Sequence, residues 1–319
     1  MFEYLITRPL GWIIEQIYNL VSNYGLSIIL FTVVVKLILL PLNIRSQRAM
    51  RKQQKVQPIL AQLQEKYKND QEKLQREIMK LYKENNISMT GGCLPMLIQF
   101  PILIGLYQVI QKPLSYLFGV NWAEADIINR VYDLQDKIVE MGYDIGNLAN
   151  YTMEQLANMS QIQLSNWASI INGPTDPWHI NFNFLGLDLS QNPSVVTDYL
   201  MKLDFSSNPA VFGLLLIPVL AVVSSVLTTK LTQKQTGQTN SANQQANQMT
   251  KSMTMMMPIM TAVFTFTLPA GMGVYWIISS VMQIVQQIVL NKVLEKNDEE
   301  IEIKIPERKQ LHGKKSKKR

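Results

Sequence analysis

The chain has 319 residues, of which 47% are hydrophobic and 17% charged, with 30 Lys/Arg against 24 Asp/Glu and a net charge of +6. The apolar residues are concentrated in a few long runs, which excludes a single soluble core and points to a membrane protein of modest size. Cys93 is the one cysteine, so an intramolecular disulfide is excluded, and it reads as a small buried apolar residue.

Residues 1–24 lack a basic stretch followed by a cleavage site, so no removable signal peptide is expected. "RPLGWIIEQIYNLVSNYG" reads as an amphipathic helix lying on the outer membrane surface, with Trp12 and Tyr18 as interfacial anchors. Residues 25–44 form a first predicted span. From Leu26 to Leu42 there are thirteen Leu, Ile, Val and Phe residues, each favouring insertion by roughly 0.3–0.6 kcal/mol, against about 3 kcal/mol for the one lysine, Lys36. The segment therefore still inserts. Two environments fit the charge: snorkelling to the headgroups, or a polar, watered cavity inside the protein. Geometry favours the cavity, because Arg45 lies about 13 Å further along the axis and helical side chains lean toward the N-terminus, away from that end.

Residues 45–90 carry a different pattern. Val56, Leu60, Leu63 and Tyr67, then Leu74, Ile78 and Leu81, recur at spacings of four and three. These stripes predict two amphipathic helices turning at "KND", an antiparallel hairpin whose other faces are rich in Lys, Arg and Gln. Such a hairpin could rest on anionic headgroups or serve as a docking arm for a partner or an incoming chain. Further spans are predicted over 91–112, 209–229, 253–268 and 272–291, each near the roughly 20 residues a crossing helix needs. Residues 113–208 form a long loop, helical in pattern around 121–141 and 151–171, with "INFNFLGLDL" extended. Residues 230–252 form a short loop, and 292–319 a basic tail ending in "KKSKKR".

Charge sets the orientation. Segment 45–88 carries eleven Lys/Arg and five acids, segment 229–252 three and none, and the tail 291–319 ten and six, whereas 113–208 carries three and eleven. Positive segments stay in the cytoplasm, so the N-terminus and the acidic loop are expected outside and the C-terminus inside, consistent with five spans.

Absent chemistry narrows the function. There is no phosphate-binding G-x-x-x-x-G-K-[ST] loop, no His-Glu-x-x-His, and no Asp or Glu within the five predicted spans. No cofactor, metal or enzymatic role is expected; a serine/lysine hydrolase pairing Lys36 with Ser224 or Ser225 has no nucleophile turn to mark it. With no carboxylate nearby in sequence, Lys36 calls for neutral polar partners and water. Thr32, Lys36 and Asn43 fall on one side of the first span and Gln99 sits in the second. Thr254, Thr261 and Thr265 share a face of the fourth, and Trp276, Ser280, Gln283 and Gln287 run down the fifth. Each stripe alone reads as ordinary helix–helix hydrogen bonding. Together they suggest a hydrophilic recess of positive character.

"YGLSIILFTVVVKLILLPL", the charged hairpin, "GGCLPMLIQFPILIGLYQVI" and "LPAGMGVYWIISSVMQIVQQ" follow one another in an order that resembles the YidC/Oxa family of membrane protein insertases, over roughly residues 20–112 and 209–292. The resemblance implies an all-α polytopic protein of the bacterial cell membrane, with five transmembrane helices around a hydrophilic groove open to cytoplasm and lipid. It implies insertion of hydrophobic segments without ATP hydrolysis. It places Lys36 where the family usually has arginine, and Thr32, Gln99 and Trp276 along the groove with Tyr275 adjacent; the polar stripe of the fifth span adds Gln283 to the candidate groove. Lysine keeps the charge but loses the planar five-donor fork. The partners implied are nascent membrane protein clients, the ribosome through the basic tail, the Sec translocon and anionic lipids. "MTKSMTMMMPIM", 249–260, fits either contact with varied apolar helices or a Met-rich packing seam. A small-solute transporter and a non-inserting assembly factor are the alternatives. A transporter's pore would reach both sides, and an assembly factor would tolerate loss of Lys36.

Overall fold

Helix boundaries follow local chemistry. Asn23 caps the helix Tyr24–Ile38 by accepting from the Leu26 N–H at 3.0 Å, and Asp70 caps Gln71–Glu84 by accepting from Lys73 N–H at 3.0 Å. Pro41 cannot donate a backbone hydrogen bond, and the chain breaks just before it with a bend of 59°. The computed structural model describes residues 3–87, 94–120, 125–142, 161–202, 209–236, 256 and 258–295.

In chain order, a π-helical turn Glu3–Thr7 leads into α1 (Arg8–Val21), α2 (Tyr24–Ile38), α3 (Leu40–Lys66) and α4 (Gln71–Glu84). Then come α5 (Leu94–Gln111), α6 (Pro113–Leu117), α7 (Ala125–Glu140) and α8 (Gln161–Asn172). Strands β1 (Asn183–Phe184) and β2 (Leu187–Asp188) pair antiparallel, Asn183 with Asp188 and Phe184 with Leu187. The chain continues with α9 (Val196–Met201), α10 (Pro209–Gly213), α11 (Leu216–Thr236), α12 (Pro258–Thr267) and α13 (Ala270–Glu295).

This is an all-α membrane protein apart from the small β1–β2 ribbon. The stretches Val211–Gln233 and Ala270–Val293 are long and apolar enough to cross a bilayer, and the bent pair α2–α3 supplies a third candidate. Two further expected crossings coincide with the shorter apolar helices Phe100–Gln111, within α5, and Pro258–Thr267. α13 packs between α11 and α2. Apolar side chains stay exposed on the outer faces, among them Leu30 and Val34 of α2, Val219 and Val223 of α11, and Val285 and Ile288 of α13. An apolar exterior of this kind suits lipid as its solvent.

The main core is one cluster. It runs from Ile14, Ile28 and Phe31 through Leu106 and Ile110 into Leu114, Leu134, Leu164, Trp167 and Phe182 of the long loop, and on to Met272 and Tyr275. The described residues of the long loop are thus packed against the membrane helices. Backbone bonds reinforce this. Asn181 O accepts from the first N–H of α2, Tyr24, at 3.0 Å; Gln191 O and Leu189 O accept from Ala270 and Gly271 N–H at 2.9 and 3.2 Å. A helix leaves its first four N–H groups without intrahelical partners, and here one segment of the loop satisfies such groups on two helices.

Tyr18, read from sequence as an interfacial anchor, is instead core: it is 8% exposed, edge-on to Phe118, and its hydroxyl accepts from Asn181 N–H at 3.2 Å. Burial pushes its phenol pKa up, with a smaller lowering from that hydrogen bond. Trp12, about 120° around α1 from Tyr18, is 62% exposed.

A second, small core lies apart from the first. Val56 and Leu60 of α3 meet Leu81 of α4 and Ile87, with Leu63 and Ile78 packed at the edge. Leu74 is also buried, and Tyr67 sits at the turn with the Lys66 and Lys73 ammonium groups 5.2 and 5.4 Å from its ring centre.

Candidate functional site

Lys36 lies in the last turn of α2, 7% exposed. Among the described residues no carboxylate lies within ion-pair distance of it. An unpaired ammonium can remain in such a place only with neutral oxygen atoms and water for company.

Neutral oxygens lie on the same helix and, buried, on α11, α12 and α13. Thr32, one turn before Lys36 on the same face, is buried and donates its hydroxyl proton to Ile28 O at 2.7 Å. Thr265 donates to Thr261 O at 2.6 Å and Thr228 to Ser224 O at 2.8 Å. Each hydroxyl thus uses its donor on its own helix and keeps lone pairs free to accept. Ser225 of α11 and Thr261 of α12 meet at 3.5 Å, and Ser279, Ser280 and Gln287 of α13 are buried. Buried hydroxyls and amides thus lie beside the apolar core, while the outer faces of the helices stay apolar.

The break at Leu39 has a direct consequence for this region. Spacing alone put Thr32, Lys36 and Asn43 on one side of a continuous helix, but Asn43 belongs to α3, beyond the bend. It rejoins Lys36 through α13: Gln286 donates from Nε2 to the Lys36 carbonyl at 3.1 Å and accepts at Oε1 from Asn43 Nδ2 at 3.2 Å. Five residues further along α13, Asn291 accepts from Arg51 at both its backbone and side-chain oxygens, at 2.7 and 3.1 Å. Gln286 and Asn291 were not singled out by sequence. Their signal was only that they are amides on α13, and which amide reaches which carbonyl depends on the rotation of α13 against the bent pair.

The other groove residues expected from sequence divide. Tyr275 is buried against the core, and Trp276 is half-buried with its ring nearly parallel to that of Phe264, centroids 6.1 Å apart. Gln283 is exposed, whereas Gln287, one turn on, is buried. Gln99 belongs to α5, but its side chain lies outside the described residues. So do most of 249–260, where Met256 and Met260 are exposed, and the tail from 296 onward.

The family model described as 60Kd inner membrane protein matches residues 16–298, nearly the whole chain. The chain belongs to this family, YidC/Oxa. Among relatives each described as a membrane protein insertase YidC, that of Clostridium perfringens is 51% identical over 107 residues, 34% of this chain and 44% of the relative. That of Nitratidesulfovibrio vulgaris strain DP4 is 45% identical over 105 residues, covering 33% of this chain and 20% of the relative. That of Francisella philomiragia is 44% identical over 126 residues, covering 40% and 22%. The matches therefore span less than half the length of these YidC relatives. Among the described residues there is no cluster of His, Cys, Asp and Glu able to hold a metal ion.

Proposed function

We propose that this protein is a membrane protein insertase, taking hydrophobic segments from the cytoplasmic side into the bilayer and helping them assemble. The observation that carries this reading is Lys36, buried with no carboxylate within ion-pair distance among the described residues, within a chain of the YidC/Oxa family. The proposed mechanism has three parts. A client's short polar or acidic tail enters the recess, where the positive charge and water lower the cost of leaving bulk solvent. The client's apolar helix then partitions sideways into lipid, releasing about 25 cal/mol per Å² of apolar surface removed from water. That release can drive insertion without nucleotide hydrolysis. Lys36 attracts the tail; Thr32, Gln99, Trp276 and Gln283 are assigned to its path, while Tyr275 packs into the core beside Trp276. The α3–α4 hairpin is assigned to the cytoplasm as a docking arm, and the basic tail to the ribosome or anionic lipid. The N-terminus lies outside in this reading.

The test compares the native protein with Lys36→Arg and Lys36→Ala in liposomes, scoring protease protection of a single-span client with an acidic outer tail. Arginine retains the charge and is expected to insert at near-native yield; alanine is expected to lose tenfold or more. Normal insertion by the alanine protein would remove the charge from the mechanism. Failure of all three would overturn the insertase reading.

A further inference from the structure

One face of the bent pair α2–α3 stays exposed straight through the bend. On α2 it carries Val34, Leu37 and Ile38, at 38, 53 and 62% exposure, part of the apolar exterior that suits lipid. Pro41 continues it past the bend, and Arg45 and Arg48 follow, all exposed. The steps from Ile38 to Pro41, Arg45 and Arg48 are three, four and three residues, the spacing of neighbours on one helix face. A lipid-facing surface thus changes from aliphatic to cationic within about two turns.

The cations of α3 divide by direction. From Leu40 to Gln64 there are five, Arg45, Arg48, Arg51, Lys52 and Lys55, and no acid. Arg51 turns to α13, where the Asn291 oxygens take its guanidinium. Arg45, Arg48 and Lys52 fall at i, i+3 and i+7, within about 60° of one another and roughly opposite the buried Ser46 and Met50. Among the described residues, none of these three has a carboxylate within ion-pair distance. A stripe about 10 Å long therefore presents positive charge outward without a counter-ion from the protein.

The bend sets the depth of the stripe. For α2 near the bilayer normal, the 59° turn makes α3 leave the hydrocarbon by only about 0.8 Å per residue. Arg45, Arg48 and Lys52 then lie about 4–9 Å beyond the start of α3, comparable with the roughly 5–8 Å of headgroup layer on each side of the hydrocarbon. A straight continuation would carry Lys52 about 18 Å away, into bulk water.

We propose that Arg45, Arg48 and Lys52 bind the phosphates of anionic phospholipids in the leaflet where α2 ends. The planar arginine fork matches a pair of phosphate oxygens, and an anionic lipid, unlike a choline lipid, brings no cation of its own to compete. Depth selects lipid over the phosphates of a nucleic acid, which stays in bulk water. At about fivefold per cation near an anionic surface, three give about a hundredfold before salt screens them. The assignment needs α2 to cross the bilayer and nothing of the insertase reading.

The experiment places the full-length protein in micelles holding equal amounts of phosphatidylglycerol and phosphatidylcholine, and counts by native mass spectrometry the molecules of each that it keeps. Phosphatidylglycerol is expected in at least tenfold preference. Arg45→Gln/Arg48→Gln/Lys52→Gln should lower that preference at least fivefold at an unchanged unfolding temperature; Arg48→Gln alone should lower it at least twofold, a second reading where the triple variant folds poorly. Lys66→Gln/Lys68→Gln/Lys73→Gln, which removes the same charge from the exposed tip of the hairpin, should leave the preference within twofold. Equal retention of both lipids by the native protein, a preference untouched by the stripe variants, or the same loss from the tip variant would each overturn the proposal. So would displacement of the lipid by a single-stranded oligoribonucleotide at equal phosphate concentration, which would give the stripe to RNA.

Discussion

A Cβ built on Gly273 would stand 2.2 Å from Ile217 Cγ2, so α13 and α11 touch here at a distance only glycine allows. Ile217 is β-branched and cannot swing that methyl aside cheaply. Gly273→Ala is therefore expected to destabilise the protein by about 1–3 kcal/mol, and Ile217→Ala, which deletes the clashing methyl, should make the two changes together cost less than their sum. Thermal unfolding of the four proteins of the cycle measures the coupling. The same scale separates what sequence could tell from what it could not. Lys36 announced itself because a single charge in an apolar run, too far from the helix end to snorkel easily, calls for an explanation. Gln286 and Asn291 did not, because their role depends on the bend at Pro41, which shifts the rotational phase of everything after Leu39.

At the scale of elements, local periodicity was enough where both partners of a contact lie close in the chain. The stripes at Val56, Leu60 and Leu63 and at Ile78 and Leu81 mark the faces that meet between α3 and α4. Asp70 starts the second of these helices, and Asp70→Ala should cost about 1 kcal/mol of local stability, read as faster amide exchange through Gln71–Glu84. The capping of α2 and α13 by the long loop was invisible in sequence, since backbone carbonyls carry no side-chain signature. Asp188 holds the turn that presents Leu189 O and Gln191 O to α13. Asp188→Ala removes three charge-assisted bonds and should raise amide exchange at Ala270 and Gly271 about tenfold or more, leaving α4 unchanged.

Across the whole molecule, two cores of unequal size imply two unfolding events. The large one joins α1, α2, α5 and α13 to the long loop, while the small one holds four buried residues between α3, α4 and Ile87. Leu81→Ala should remove about 2–5 kcal/mol from the small core. That exceeds what so few contacts can hold in reserve, and the hairpin should melt in a separate low-temperature phase while the main transition stays in place. Circular dichroism in detergent, with exchange mass spectrometry to assign the phases, would show it. A single shared transition would mean that the hairpin leans on the membrane helices more heavily than its packing indicates.

The bend between α2 and α3 also makes a lever. α3 runs 27 residues from Leu40 to Lys66, up to about 40 Å at 1.5 Å per residue. Gln286 and Asn291 fasten its near end to α13, one on each side of the fulcrum that matters: the Lys36 carbonyl and Arg51. A rock of 5° about Arg51, 16 residues or about 24 Å from Tyr67, carries the Tyr67 tip through about 2 Å. In the proposed reading, a client seated on that tip would press on the long arm of a crank whose short arm is tied through Gln286 to the Lys36 carbonyl.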